Sequence, residues 1–429
     1  RAATSYAPDR PAATDARIQA MDNAFSAQDL RSFDTRLVAF GTRNDFSDTL
    51  NSPSRGVFAA RDWIRAQFEE IAKTSGGRMT VRLDTFTHPK TERTPRDVVE
   101  SSVIATLKGE VPGPTYVMSS HFDDCNGKCT DGQGDAPGAD DNGSGTSAVI
   151  EAAKVMAHTH FRGTIIFATF DGEELGLWGS EHFANELKAN GTQVVADLNN
   201  DIIGTPNSAS DGNEVRIFSE ALPAGAKDAV VNLLGTEDDS PSRELARFVK
   251  ATGEQYVSPM HGVLIYRADR FLRGGDQQSF NADGFPAIRF VEIHEDFQHQ
   301  HQDVRREGGV QYGDLPQYLD FNYLARITKM NVAALAALAL GPEEPVQPEL
   351  LTQHLTNDST LRWKPAPGAS TYQIVWRETT SPVWQYAKNV GDAMQATVPV
   401  SKDNYILGVR SVDANGLYSP VVYPTPVRK

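Results

Sequence analysis

Apolar side chains recur at helical spacing in two early stretches. Residues 24–40 carry one such period. Residues 56–71 carry another, with Phe58, Trp63, Ile64, Phe68 and Ile71 on one side. Short strand-like runs follow at 79–86, 98–107 and 116–119. A loop rich in Gly and Asp then spans 123–142, and residues 144–157 form a helix pattern of small residues. Residues 164–170 (TIIFATF) are almost continuously apolar, the mark of a strand buried on both faces. A helix pattern over 179–189 and a strand over 194–198 come next. Strand and helix alternate, which predicts an α/β fold around a mixed, mostly parallel sheet. Residues 323–340 form a long closing helix. The longest uninterrupted apolar run, 332–340, is too short to span a membrane.

The pattern changes after residue 341. Residues 342–348 hold three prolines and no apolar period, so they are expected to be a linker. Beyond it, residues 349–429 alternate apolar and polar positions: Leu361 and Trp363, then Tyr372, Ile374 and Trp376, then Tyr405, Leu407 and Val409. Turn residues separate the runs. This predicts a small antiparallel β-sandwich that resembles a fibronectin type III module. The expected organisation is a first domain over 1–341, with a loose lead-in over 1–20, and a second over 349–429.

Composition narrows the function. Apolar residues make up 39% of the 429-residue chain, enough for a sizeable core. The formal net charge of −15 argues against nucleic-acid or acidic-membrane partners and suits cation sites. The only cysteines, Cys125 and Cys129, are too few for a zinc ribbon and sit close in a Gly-rich loop, so a local disulfide is expected. With an Ala/Pro-rich start at Arg1, this points to a secreted or periplasmic protein.

In open α/β sheets the ligand lies beyond the carboxyl ends of the strands. There the chain places His121-Phe-Asp123 after the third strand-like run, Asp171-Gly-Glu173-Glu174 after 164–170, and Asp201 after 194–198. The Gly-rich loop adds Asp140-Asp141, and residues 290–293 lead into His294, His299 and His301. Carboxylates gathered at one edge repel unless a cation neutralises them. A His and carboxylate set without thiolates suits Zn²⁺ or a similar first-row metal. Each part alone has an ordinary explanation: Glu173-Glu174 as a helix start, Asp140-Asp141 as a turn and cap, His121 as a core histidine. Their common placement after strands favours a metal site.

The series SSHFDD, PGADDNGSG, FDGEELGLWGS, NNDIIG and a late His resembles the aminopeptidase branch of the co-catalytic dizinc exopeptidases, peptidase family M28. The resemblance implies an α/β/α sandwich and two Zn²⁺ per chain. It implies His121 and Asp201 on one ion, Glu174 and a late His on the other, and Asp140 bridging, followed through a cis peptide by Asp141. It implies Glu173 as general base acting on a zinc-bridging water, and Asp123 as the orienter of His121. His299, with Asp303 four positions on, fits the family spacing for the last ligand; His301 and His294 compete. Three positions depart from the family: Gln277 where His is usual, Gln298 where Tyr is common, and Gln300 where Thr is usual. Ile202 and Phe280 are candidates for the substrate side-chain pocket. The activity implied is removal of N-terminal residues from peptides with a free amine. The alternatives are a carboxypeptidase or amidohydrolase on the same scaffold, a glutaminyl cyclase, and, from another class, a non-catalytic adhesion protein.

Overall fold

The computed structural model of the chain describes residues 6–221, 240–267, 274–354 and 356–427. Its main sheet has eight strands: β1 (Met79–His88), β2 (Val98–Leu107), β3 (Pro114–His121), β4 (Thr164–Phe170), β5 (Gln193–Asn200), β6 (Glu214–Ser219), β7 (His261–Tyr266) and β8 (Ala287–Val291). The spatial order is β1-β2-β4-β3-β5-β8-β6-β7. The central pairs β4/β3, β3/β5 and β5/β8 are parallel, and β1/β2, β2/β4 and β6/β8 are antiparallel. Every residue of β3 is buried, as expected for a strand covered on both faces.

Helices cover both faces. On one lie α1 (Ala16–Ala24), α2 (Ala27–Val38), α3 (Val57–Thr74), α4 (Gly145–Met156), α7 (Pro241–Tyr256) and α9 (Phe321–Leu340); on the other lie α6 (Trp178–Ala189) and α8 (Gln277–Ala282). The one-turn helix α5 (Glu173–Gly176) opens from the end of β4. This is the expected α/β/α arrangement. By length and composition α9 could cross a membrane, yet 83% of its most apolar window is buried inside the protein. Its apolarity therefore serves the core.

Helix α4 packs close to the sheet because Gly145 lacks a side chain: a Cβ there would lie 2.3 Å from the Asn200 carbonyl oxygen. That approach brings the loop before α4 over the ends of β3 and β5.

A short antiparallel pair, β9 (Arg305–Glu307) and β10 (Val310–Tyr312), precedes α9; after α9 come β11 (Val346–Leu351), β12 (Ser359–Lys364), β13 (Thr371–Glu378), β14 (Tyr386–Gly391), β15 (Gln395–Val398), β16 (Tyr405–Val412) and β17 (Thr425–Val427). They form sheets ordered β15-β12-β11-β17 and β14-β13-β16. Leu361, Trp363, Tyr372, Ile374, Trp376, Leu407 and Val409 share one core between the sheets.

Three boundaries differ from expectation. The helix expected over 24–40 is α2, which begins only at Ala27, where the Ser26 side chain caps it, and ends at Val38. The loose lead-in is packed: Tyr6 lies edge-on to Trp376 and Tyr386, Asp9 pairs with Arg410, and α1 begins at Ala16. The proline-rich stretch expected to be a linker becomes strand at Val346.

Candidate metal centre

The carboxyl ends of β3, β4 and β5 stand side by side, and each delivers polar side chains to one point. His121 ends β3. Its Nε2 lies 3.3 Å from Asp141 Oδ1 and 3.4 Å from Asp201 Oδ1, and all three side chains are buried. Asp201 follows β5 directly. After β4 the chain turns at Gly172, whose φ of +82° lies in the region glycine favours, and enters α5 at Glu173. Glu173 Oε2 lies 4.0 Å from His121 Nε2. Glu174 Oε1 lies 3.0 Å from His301 Nε2, which is also 3.0 Å from Asp141 Oδ2.

Asp141 therefore turns one carboxylate oxygen to each imidazole. Each half of the site adds one further carboxylate, Asp201 beside His121 and Glu174 beside His301. Neither Glu174 Oε1 nor His301 Nε2 has a hydrogen-bond partner, although both are buried from solvent. Buried polar atoms without partners call for a group to satisfy them. Imidazole nitrogen and carboxylate oxygen, with no thiolate, form a donor set that fits a pair of zinc-type ions sharing Asp141.

The surroundings hold these donors in place. Asp123 Oδ1 lies 3.4 Å from His121 Nδ1, and its Oδ2 accepts a hydrogen bond from the Glu174 amide at 3.0 Å. One carboxylate thus orients both halves. Asp314 accepts from the amides of Asp140 at 2.9 Å and Asp141 at 2.7 Å. Arg43, fully buried, donates to the carbonyls of Phe122, Pro137 and Gly138 and pairs with Asp124, so it ties together the two loops that carry His121 and Asp141. Gln300 Nε2 donates to Asp141 Oδ2 at 2.7 Å. A Cys125–Cys129 disulfide closes the loop beside Glu174 and His301.

The electrostatics follow from burial. Burial opposes a charged His121, but Glu173, Asp123, Asp141 and Asp201 outweigh it and hold the imidazole well above its ordinary range. For Glu173, burial pushes its carboxyl well up; His121 opposes this, and Asp201 and Glu174 add to it.

Two of the expected ligands lie elsewhere. Asp140 does not face the cluster: its Oδ1 accepts from the Gly204 amide at 2.8 Å, and it is its neighbour Asp141 that lies between His121 and His301. Successive residues in this non-helical turn point opposite ways, so only one of the pair can face the imidazoles. The cis peptide likewise lies one residue later, between Asp141 and Asn142. His299 stacks on Tyr318 with ring centroids 3.6 Å apart and lies 3.3 Å from Asp296, while His301 reaches the cluster. His294 pairs with Asp211 at the surface.

Neither expected pocket residue lines the larger cavity over the cluster, although Ile202 borders a small one beside Asp141. Phe280 is buried on the opposite face of the sheet against Phe170 and Phe285. Ile202 packs with Phe218 and Val291. The cavity over the cluster, about 450 Å³, is lined among the described residues by Arg93, Cys129, Gly176, Leu177, Gly274, Gln278 and Arg289 together with Asp141, Glu173, Glu174, Asp201 and His301. Arg289 Nη2 lies 2.9 Å from Asp201 Oδ2. The sequence held no periodic signal for Arg43, Asp314 or Arg289, whose roles depend on long-range contacts.

A family model described as peptidase family M28 matches residues 102–310. A probable zinc metalloprotease of Leptosphaeria maculans is 42% identical to the chain, over 97% of this chain and 98% of that relative. The chain belongs to peptidase family M28. The M28 fold is also visible in solved structures. The Legionella pneumophila LapA aminopeptidase is similar at a TM-score of 0.56 and 20% identity, over 77% of each chain. A Fimbriiglobus ruber glutaminyl cyclase is similar at 0.51 and 15%, over 77% of this chain and 97% of its own. Fold likeness alone therefore does not choose between hydrolysis and cyclisation on this scaffold.

Proposed function

We propose that this M28 chain is a zinc aminopeptidase that hydrolyses the first peptide bond of substrates with a free N-terminus. The observation that carries it is the two-sided Asp141 carboxylate, with an imidazole and a second carboxylate on each side. In this proposal His121, Asp141 and Asp201 hold one Zn²⁺, and Asp141, Glu174 and His301 hold the other. The names of the curated relatives support the metal, and the LapA aminopeptidase supports the exopeptidase reading.

Two zinc ions, when bound, acidify water and polarise the scissile carbonyl. Glu173 supplies the proton transfer. Its carboxylate takes a proton from the attacking water and returns it to the departing amide nitrogen. Asp123 keeps the His121 ring oriented and ties the Glu174 backbone, so both halves keep their spacing. The carboxylates lining the cavity favour a substrate ammonium group. Export and a fibronectin type III-like unit over 349–429 belong to the same proposal, supported by the disulfide and by the two C-terminal sheets.

A carboxypeptidase reading draws on Arg93 and Arg289, which also line the cavity and could meet a terminal carboxylate. Paired substrates separate the two. An aminoacyl anilide with a free amine should be cleaved and its N-acetylated form should not. Cleavage of the N-blocked, C-free peptide alone would refute the aminopeptidase assignment. Glu173→Gln should retain two zinc equivalents while kcat falls about 10²- to 10⁴-fold.

A further inference from the structure

A second group of carboxylates lies outside the candidate centre. Asp45 comes from a short helical turn, Asp45–Ser47; Glu100 from β2; and Asp171 from the position after β4. All three are essentially inaccessible to solvent, and each offers an oxygen within 4.8 Å of the other two. Asp171 Oδ2 accepts from the Ser101 amide at 2.8 Å. The other five oxygens, two of Asp45, two of Glu100 and Oδ1 of Asp171, have no hydrogen-bond partner.

Glu100 is the decisive member. Its side chain is wholly buried, aimed at the other two carboxylates, and unpartnered at both oxygens. Of the guanidiniums in this region, Arg61, whose charge acts on Asp171, pairs with Asp62, and Arg96 is committed to Asp48 and to the Phe46 carbonyl. Burial and the charges of Asp171 and Asp123 push Glu100 up to about 10, and burial with the charge of Asp123 pushes Asp171 up to about 7. Such a group needs neutralising in the folded state. The donors are all hard oxygens, without nitrogen or sulfur, the type that Ca²⁺ takes, with water filling the rest of its six to eight positions.

We propose that Asp45, Glu100 and Asp171 form a structural site for a hard divalent cation of the Ca²⁺ type, separate from the zinc centre. Its place in the fold gives it a task. Asp171 leads through Gly172 into Glu173, and a Cβ at Gly172 would lie 3.1 Å from the Glu100 carboxylate. The cation cross-links the Asp45 turn, β2 and the end of β4, and so fixes the turn from which Glu173 projects.

The test uses full-length protein loaded with stoichiometric zinc and titrated with ⁴⁵Ca²⁺ by flow dialysis, with thermal unfolding followed in parallel. One saturable Ca²⁺ equivalent and a Tm rise of several degrees are expected. Glu100→Gln keeps the side-chain shape and removes the charge. It should weaken Ca²⁺ binding at least tenfold and abolish the Tm rise while zinc content stays unchanged. Absence of saturable Ca²⁺ binding to the wild-type protein overturns the proposal. So does undiminished Ca²⁺ binding or an undiminished Tm rise in Glu100→Gln. Should Glu100→Gln fail to fold, the wild-type titration and Asp45→Asn decide. No readout depends on peptidase activity, so the outcome is independent of the aminopeptidase proposal.

Discussion

His301 Nε2 lies 3.0 Å from Glu174 Oε1, yet neither atom makes a hydrogen bond. Two buried polar atoms so close without bonding are directed at a shared third partner. His301→Ala should therefore lose about one of two zinc equivalents by elemental analysis and reduce kcat/KM at least about 10³-fold. His299→Ala should keep both equivalents and stay within about threefold of wild-type activity, because its ring serves packing on Tyr318. The reverse pattern would restore His299 as the ligand.

Asp314 acts one layer behind Asp141, holding the amides of Asp140 and Asp141. An asparagine there turns an NH₂ donor toward at least one amide that needs an acceptor. Asp314→Asn should lower kcat/KM about 10- to 100-fold and weaken metal retention in a chelator challenge. An unchanged chelator half-life would mean that the loop is held by other contacts.

Glu244 of α7 joins the main sheet's helices to the C-terminal sheets. It accepts from Trp384 Nε1 at 2.9 Å and from Tyr423 at 3.2 Å, and lies 3.4 Å from Arg247. Glu244→Ala strips those buried donors of their acceptor. Urea unfolding should show a loss of about 2–4 kcal/mol, with kcat/KM within about twofold of wild type. Equal loss of activity would tie the C-terminal sheets to catalysis.

Asp22 on α1 is buried, and burial raises its carboxyl to about 7, with Lys329 opposing. The folded protein thus holds this proton more tightly than the unfolded chain, whose aspartate ionises near the ordinary 3.8. Stability from this group is full below that ordinary value and declines as pH rises toward about 7. Asp22→Asn should exceed wild type by on the order of 1–2 kcal/mol at pH ~8, and the gap should shrink by pH ~5. A pH-independent gap in urea melts would contradict the assignment.

Much of the site was legible because buried strands advertise their ends. The apolar run of β4 stops at Phe170, so Glu173 and Glu174 had to lie just past the sheet edge; the same logic located His121, Asp123 and Asp201. Choices inside loops were not legible. Asp140 and Asp141 are chemically identical neighbours, and His299 and His301 are two residues apart in one turn. Strands β6 and β7 were not anticipated; β7, at the sheet edge, leaves its apolar side chains only half-buried, while β6 lies inside the sheet with Val215, Ile217 and Phe218 buried.

Local sequence alone settled the central strands β2 to β5 and several of the helices that cover them, since burial on one or both faces writes a period into the chain. It also settled which carboxylates and imidazoles reach the sheet edge. Tertiary structure decided which of them face one another. Asp141 is aimed by a carboxylate 173 positions later, Asp314, and His301 meets Glu174 across more than a hundred residues. Side-chain direction in a loop depends on the partner that captures its backbone, and that partner is brought there only by the completed fold.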